Sequence, residues 1–164
     1  MTSTTRETQI VSDPDVPLVR IAREFDAPPE KVYRAHVDPA LVVQWMGPRE
    51  IEMRIDHWDA RTGGSYRYLA VGDGEEYGFR GCFHELRPAE LIVQTLTFEG
   101  DPDGVALEKY RFEDLGGRTR LTTTSLCDSF ADRDAFVASG MVDGATAGYE
   151  KLDEFLAGGA GGTT

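Results

Sequence analysis

Residues 18–45 read LVRIAREFDAPPEKVYRAHVDPALVVQW. In the first eight of these positions the side chains alternate between two faces, and Val19, Ile21 and Phe25 fall on the same face. A period of two with apolar residues on one side is typical of a strand that has one buried face. The pattern therefore predicts that the folded domain begins with a strand just after Pro17.

Two short helices are predicted directly after this strand. Pro28 and Pro29 open the first helix, because proline is tolerated in the first helical turn, where its missing N–H would have no partner. Asp38 then offers an N-cap carboxylate ahead of Pro39, which repeats the start signal. Gly47 ends the second helix, so the two helices follow each other almost without a connection.

The chain between residues 50 and 126 returns to the strand pattern. Its predicted strands lie within the segments IEMRIDHW (51–58), SYRYLAV (65–71), EYGFRGCF (76–83), LIVQTLTF (91–98), LEKYRFEDL (107–115) and RTRLTTTSL (118–126). Turn signals separate several of them, as at Gly72-Asp73-Gly74 and Gly116-Gly117. This even spacing predicts consecutive antiparallel hairpins rather than strand–helix–strand units.

A long amphipathic helix is predicted over residues 132–157, with Asp132 as its cap. Its apolar positions recur at spacings of three and four: Phe136, Val137, Met141, Ala145, Gly148, Leu152 and Phe155. Gly140, Gly144 and Gly148 fall four apart on it, and each costs about 1 kcal/mol relative to alanine inside a helix. Either a close approach of the helix to its neighbours or room for a ligand would explain them.

Composition and charge exclude several classes of protein. The 164 residues carry 29 acidic and 17 basic side chains, a net charge of -12. The resulting field repels phosphate backbones and anionic lipids, so neither nucleic acid nor a membrane is expected as a partner. No signal-peptide pattern opens the sequence, and Cys82 and Cys127 have no disulfide-framework spacing. A cytoplasmic location is therefore expected.

The organisation along the chain is that of one domain. Residues 1–16 are polar and aperiodic, which predicts a flexible N-terminal arm. Residues 17–157 carry all the periodic segments and form the predicted domain, whose length is sufficient for one substantial core. Residues 158–164, GGAGGTT, begin with the helix-stop pair Gly158-Gly159 and are predicted to be a flexible tail.

Four segments in this order resemble the START-like, Bet v 1-like superfamily. Within it they are most similar to the family related to the activator of Hsp90 ATPase homologue 1, also labelled SRPBCC. They are FDAPPEKVYRAHVDPALVVQWMGP (25–48), RTGGSYRYLAVGDGEEYGFRGCFHELRPAELIVQTLTFEG (61–100), GGRTRLTTT (116–124) and SGMVDGATAGYEKLDEFL (139–156). The resemblance implies an α+β helix-grip fold. In it, seven curved antiparallel strands wrap around the long C-terminal helix, two short helices follow the first strand, and a cavity lies between sheet and helix.

Strand alternation predicts which side chains face such a cavity. The predicted ligand-binding residues are Trp45, Met53, Tyr66, Tyr68, Tyr77, Phe79, Glu108, Tyr110, Thr123, Ser125, Met141, Ala145 and Tyr149. Several of them are tyrosines, which would give apolar walls with a few hydroxyl groups to orient a ligand. The same tyrosines could instead fill a closed core.

Glu108 and His57 are the candidate catalytic residues. Both have the inward parity of their strands, and a shifted pKa in an apolar pocket would suit either for general-base chemistry. A buried Glu108 would need partners or a wet cavity mouth; alternatively it lies at the solvated end of its strand. His36, His57 and His84 have no metal-ligand spacing, and no nucleotide-binding motif is present, so neither a metal nor a cofactor is expected.

Three functions fit these observations. The first is binding of a small apolar or amphipathic ligand between the sheet and the C-terminal helix. The second is a pocket enzyme of the polyketide cyclase or hydrolase type. The third, which the family resemblance implies, is contact with a chaperone. A homodimer would also be compatible with a small sheet that has exposed edges.

Overall fold

The computed structural model describes residues 7–158. The strands of this range are β1 (Gln9–Ser12), β2 (Leu18–Phe25), β3 (Glu52–Trp58), β4 (Ser65–Gly72), β5 (Glu75–Arg87), β6 (Leu91–Phe98), β7 (Ala106–Asp114) and β8 (Thr119–Leu126). They form one antiparallel sheet in the order β1-β2-β8-β7-β6-β5-β4-β3. The hairpin turn between β4 and β5 has positive φ at Asp73 (52°) and Gly74 (77°), as the Asp-Gly pair predicts.

The helices are α1 (Pro29–Val37), α2 (Pro39–Trp45), α3 (Phe130–Phe136) and α4 (Val142–Ala157). The first two follow β2, as predicted, and the Asp38 side chain accepts a hydrogen bond from the Ala40 N–H at 3.0 Å. Helix α4 closes the fold. In the described part of the chain, none of these helices has both the length and the apolar character of a membrane span.

The sheet has eight strands within the described residues, and the prediction of seven is therefore wrong by one. The additional strand is β1, which pairs with β2 from Gln9↔Ala22 to Ser12↔Val19. It lies inside the segment predicted to be an arm. The strand was not predicted because its four residues are mostly exposed and carry no detectable apolar period. Residues 1–6 of that arm and 159–164 of the predicted tail lie outside the described residues.

The C-terminal helical region is interrupted, whereas the sequence predicts one continuous helix over residues 132–157. It begins at Phe130, and the cap is Ser129, whose hydroxyl accepts from the Asp132 N–H at 3.1 Å. A π-helical turn then spans Val137–Met141, and Gly140 adopts φ 96° there. Only glycine reaches that conformation without strain, so the helix bends at this residue before α4 continues.

The hydrophobic core lies between the sheet and the helices. Tyr149 of α4 packs edge-on against Phe25 of β2, with ring centroids 5.5 Å apart, and Leu152 is fully buried one turn later. A Cβ on Gly148 would lie 3.3 Å from the Trp45 carbonyl oxygen, and one on Gly144 would lie 3.7 Å from Pro48. For Gly148, close approach of α4 to the end of α2 is therefore the explanation that the structure supports, whereas the contact at Gly144 is an ordinary van der Waals distance.

Candidate functional site

A cavity of about 90 Å³ lies between the sheet and the end of the α1–α2 pair. Helix α1, the C-cap residue of α2 and strands β3, β4, β6 and β7 contribute its walls. Its lining residues are His36, Met46, Trp58, Tyr66, Tyr68, Ile92, Gln94, Leu96, Glu108 and Tyr110. Of the residues that the structure describes, none from α4 lines it, so this cavity does not have the predicted position between sheet and C-terminal helix.

Strand β3 contributes Trp58 because its register changes near the end. Ile55 pairs with Tyr68 but His57 pairs with Arg67, so one residue is bulged out between them. A bulge reverses which side chains face inward. Trp58 therefore faces the cavity, whereas His57 is 52% exposed and lies 3.0 Å from Ser65 Oγ. The predicted inward orientation of His57 is wrong for this reason.

The end of α1 is held over the cavity by two indoles. Trp45 Nε1 donates to the Ala35 carbonyl at 2.9 Å, and Trp58 Nε1 donates to the Val37 carbonyl at 2.8 Å. The last carbonyls of a helix have no partner inside the helix, so these bonds satisfy groups that would otherwise be buried without one. Together they fix the position of His36, which lies between the two carbonyls.

His36 is 5% exposed and has one nitrogen without a protein partner. Its Nδ1 lies 2.7 Å from the Val32 carbonyl. A carbonyl oxygen only accepts, so Nδ1 carries the hydrogen and Nε2 presents a bare lone pair. Among the described residues, Nε2 is the buried side-chain polar atom for which no hydrogen-bond partner is found. Burial lowers the pKa of His36 to about 4, so the ring is neutral at physiological pH.

Glu108 is also buried, with 7% of its surface exposed. Its Oε1 accepts from Gln94 Nε2 at 3.1 Å and from the Tyr110 hydroxyl at 3.2 Å, and its Oε2 accepts from the Ser125 hydroxyl at 2.9 Å. Burial raises the pKa of Glu108, while the three hydrogen bonds oppose that rise. Glu108 is thus paired inside the fold, and the alternative of a solvated strand end is wrong.

Tyr66 connects the cavity to the centre of the sheet. Its hydroxyl donates to the Thr95 carbonyl at 2.6 Å and lies 3.4 Å from Gln94 Nε2. To reach β6 from β4, this side chain crosses β5 at Gly81. A Cβ there would collide with the Thr95 carbonyl oxygen and lie 2.6 Å from the Tyr66 hydroxyl. Gly81 is therefore required for this contact.

A row of neighbouring rings, called here the aromatic ladder, runs from the cavity to the open end of the sheet; its first two pairs are stacked and its last two are tilted. It consists of Tyr66, Tyr68, Phe79, Phe98 and Tyr77. Successive centroids are 6.1, 5.2, 5.2 and 6.3 Å apart. Tyr66 is 2% exposed at one end, whereas Phe98 and Tyr77 are 40% and 43% exposed at the other. The ladder is therefore an apolar surface that continues the cavity toward solvent.

A family model described as "Activator of Hsp90 ATPase homolog 1-like protein" matches residues 26–157. This range covers every element from α1 to α4. The chain belongs to this family. Among proteins with curated descriptions, none matches the sequence.

Solved structures of bacterial proteins share the helix-grip fold of this family. Protein Ms6760 from Mycobacterium smegmatis is 24% identical with a TM-score of 0.84, over 91% of this chain and 96% of its own. A Rhodobacter sphaeroides protein is 26% identical with a TM-score of 0.81, over 92% and 98%. An Arthrobacter aurescens protein is 24% identical with a TM-score of 0.85, over 93% and 92%.

The predicted site residues of this family member fall into separate groups. Tyr66, Tyr68, Glu108 and Tyr110 line the cavity, and Tyr77 and Phe79 belong to the aromatic ladder. The remaining predicted residues do not line the cavity: Trp45, Met53, Thr123, Ser125, Met141, Ala145 and Tyr149. Ser125 reaches the site only through Glu108, while Met141 and Ala145 pack against the core.

Six lining residues were not predicted: His36, Met46, Trp58, Ile92, Gln94 and Leu96. The β6 residues share one parity, so alternation in LIVQTLTF was a usable signal for them. His36 is different, because a histidine on a short helix gives no sign in the sequence that its second nitrogen lacks a partner. Trp58 was hidden by the β3 bulge.

Proposed function

We propose that the protein binds an amphipathic small molecule on the concave face of its sheet. The polar end of the molecule enters the cavity beside His36 and Glu108, and its apolar part lies along the aromatic ladder. The observation that carries this proposal is the unpartnered Nε2 of His36, a buried atom on a residue that lines an aromatic cavity. Buried polar atoms almost always have a partner, so a ligand group is a natural one.

The dimensions support a ligand that is only partly enclosed. Pockets that bury a whole drug-sized molecule measure roughly 300–1,000 Å³, and this cavity measures about 90 Å³. It holds a polar head group and little more. Phe98 and Tyr77 supply exposed apolar surface beyond it, which suits the remainder of the molecule.

Uptake of the neutral fluorescent dye Nile red tests this proposal. Leu96→Trp would fill the cavity from β6, and we expect it to abolish the uptake seen with the wild type. Leu69→Trp is the matched control: Leu69 has the opposite parity to Tyr68 on β4 and faces away from the cavity. The proposal fails if both variants bind like the wild type, or if the wild type binds no dye.

A second variant covers the case in which Leu96→Trp unfolds. Phe98→Ser alters the exposed end of the aromatic ladder, where an apolar-to-polar change should reduce the stability of the fold least. We expect weaker dye binding with an unchanged melting temperature. Native mass spectrometry of the freshly purified wild type should also show a retained small molecule.

A pocket enzyme is the second candidate, and the environment of Glu108 favours it. Burial raises the pKa of this carboxyl group toward the range in which a general base operates at neutral pH. His36 is less suited, since a pKa of about 4 makes it a weak base. Turnover of a carbonyl substrate that disappears in Glu108→Gln, with binding retained, would identify this activity.

The family description names activation of the Hsp90 ATPase, and chaperone contact therefore stays a prediction for this chain. Stimulation of a purified Hsp90 ATPase by the protein would test it. Loss of that stimulation on Phe98→Ser would assign the contact to the exposed aromatic end instead of a ligand.

A further inference from the structure

The cavity described above contains more hydrogen-bond acceptors than free donors. Gln94 Nε2 directs its hydrogens toward Glu108 and Tyr66, and the Tyr66 hydroxyl donates to the Thr95 carbonyl. The Tyr110 hydroxyl donates to Glu108. These donors are engaged within the protein, whereas a ligand would still meet the lone pairs of His36 Nε2 and the Glu108 carboxylate.

The Tyr68 hydroxyl can rotate and serve either role, so it does not alter this balance. A ligand group that satisfies His36 Nε2 must therefore bring an N–H or O–H donor. A group that only accepts, such as a ketone or a carboxylate, could receive a hydrogen bond from the Tyr68 hydroxyl but would leave Nε2 without a partner.

The apolar walls of the cavity add a second preference. Trp58, Tyr66, Tyr68 and Tyr110 present rings around the space that Glu108 borders. Aromatic faces attract cations, and a buried carboxylate attracts them more strongly. The overall charge of -12 favours the approach of cations over anions.

Resting on the proposed binding function, we infer that the cavity selects a small organic cation that carries N–H donors, such as a primary alkylammonium or amidinium head group. Its N–H groups donate to His36 Nε2 and to Glu108, and its charge lies among the aromatic rings. The cavity of about 90 Å³ is far smaller than a pocket for a drug-sized molecule, and a compact head group of this kind suits it.

Three probes with the same six-carbon chain separate charge from donor capacity. Hexylammonium has a positive charge and N–H donors, 1-hexanol has a donor without charge, and hexyltrimethylammonium has charge without N–H donors. Isothermal titration calorimetry on the wild type should show that hexylammonium binds at least about tenfold more tightly than either of the other two probes.

Variants then locate the recognition. Glu108→Gln should remove the preference for hexylammonium over 1-hexanol. His36→Phe should weaken the binding of hexylammonium and leave the binding of hexyltrimethylammonium nearly unchanged. Glu113→Gln is the matched control, because it lies on the same strand with 60% of its side chain exposed. The comparison of probes needs only the wild type, so an unstable Glu108→Gln protein would not prevent the test.

Each contrary outcome has a distinct meaning. Equal binding of 1-hexanol and hexylammonium overturns selection by charge, and equal binding of hexyltrimethylammonium overturns the requirement for N–H donors. If none of the probes binds while Nile red is taken up, the inference about cations is wrong and the proposed binding function stands. If neither the probes nor the dye binds, both fail.

Discussion

Arg23 and His36 are buried to the same extent, with 5% of each exposed, but their polar groups have different surroundings. Arg23 donates to the Tyr149 carbonyl at 3.1 Å, lies 3.8 Å from Asp153 and covers the Phe25 ring at 4.9 Å. His36 satisfies one nitrogen and leaves the other facing a cavity. Burial alone therefore does not distinguish these two ionisable groups; the presence or absence of partners for their polar atoms within the fold does.

The largest effect is expected from the replacement of Arg23, which tests whether its buried contacts stabilise the fold. Arg23→Leu leaves the Tyr149 carbonyl without this donor and Asp153 without this cation, and we expect the free energy of unfolding to fall by about 3 kcal/mol. Urea denaturation measures the loss. Arg20→Leu, at an exposed position of the same strand, should cost less than about 0.5 kcal/mol. Equal losses would show that Arg23 is not structurally important.

The stability of His36→Phe, measured at several pH values, tests whether the buried His36 ring is neutral. The folded pKa of His36 is about 4 against an ordinary value of 6.5, so between these values the unfolded chain binds a proton that the folded protein does not. Stability of the wild type is therefore lost as pH falls through this window. Relative to the wild type, His36→Phe should gain roughly 2 kcal/mol between about pH 7 and about pH 5.

Urea midpoints at several pH values measure this gain. His84→Phe is the control, because it replaces an exposed histidine on β5. A parallel pH profile for His36→Phe and the wild type would mean that the fold does not lower the pKa of His36, which would contradict a buried imidazole that stays neutral.

The smallest expected effect concerns Glu108, whose contribution to the free energy of unfolding should change with pH in the opposite direction to that of His36. Its pKa is raised in the fold above the ordinary 4.5, so the folded protein keeps a proton that the unfolded chain has released. Stability then falls as pH rises above about 4.5. Glu108→Gln should therefore gain stability relative to the wild type with rising pH, and Glu113→Gln, at an exposed position of the same strand, is the control. A gain with falling pH would contradict the raised pKa.

Much of the architecture could be predicted from local patterns. Alternation located β2 to β8, proline and aspartate located the starts of α1 and α2, and the Asp73-Gly74 pair located the β4–β5 turn. These features depend on residues close together in the chain. The same alternation correctly placed Tyr66, Tyr68, Glu108 and Tyr110 on the cavity side, since parity persists along an unbroken strand.

The errors occur where one residue changes the register or direction of an element. Because of the β3 bulge, Trp58 faces the cavity instead of His57. Gly140, with φ 96°, bends a helix whose apolar spacing continues across the bend. Strand β1 is the reverse case: its pairing with β2 stabilises four residues that show no pattern of their own. Each depends on contacts or backbone angles that periodicity does not encode.

The sequence by itself thus determined the fold, the concave face of the sheet and the presence of tyrosines and one carboxylate on that face. Only the tertiary structure decided where the cavity lies and which groups complete it. The end of α1 reaches the cavity because the Trp45 and Trp58 indoles donate to its carbonyls, and this places His36 against Tyr110, with ring centroids 5.6 Å apart. An unpartnered nitrogen is a relation among distant residues, and a local sequence pattern cannot express it.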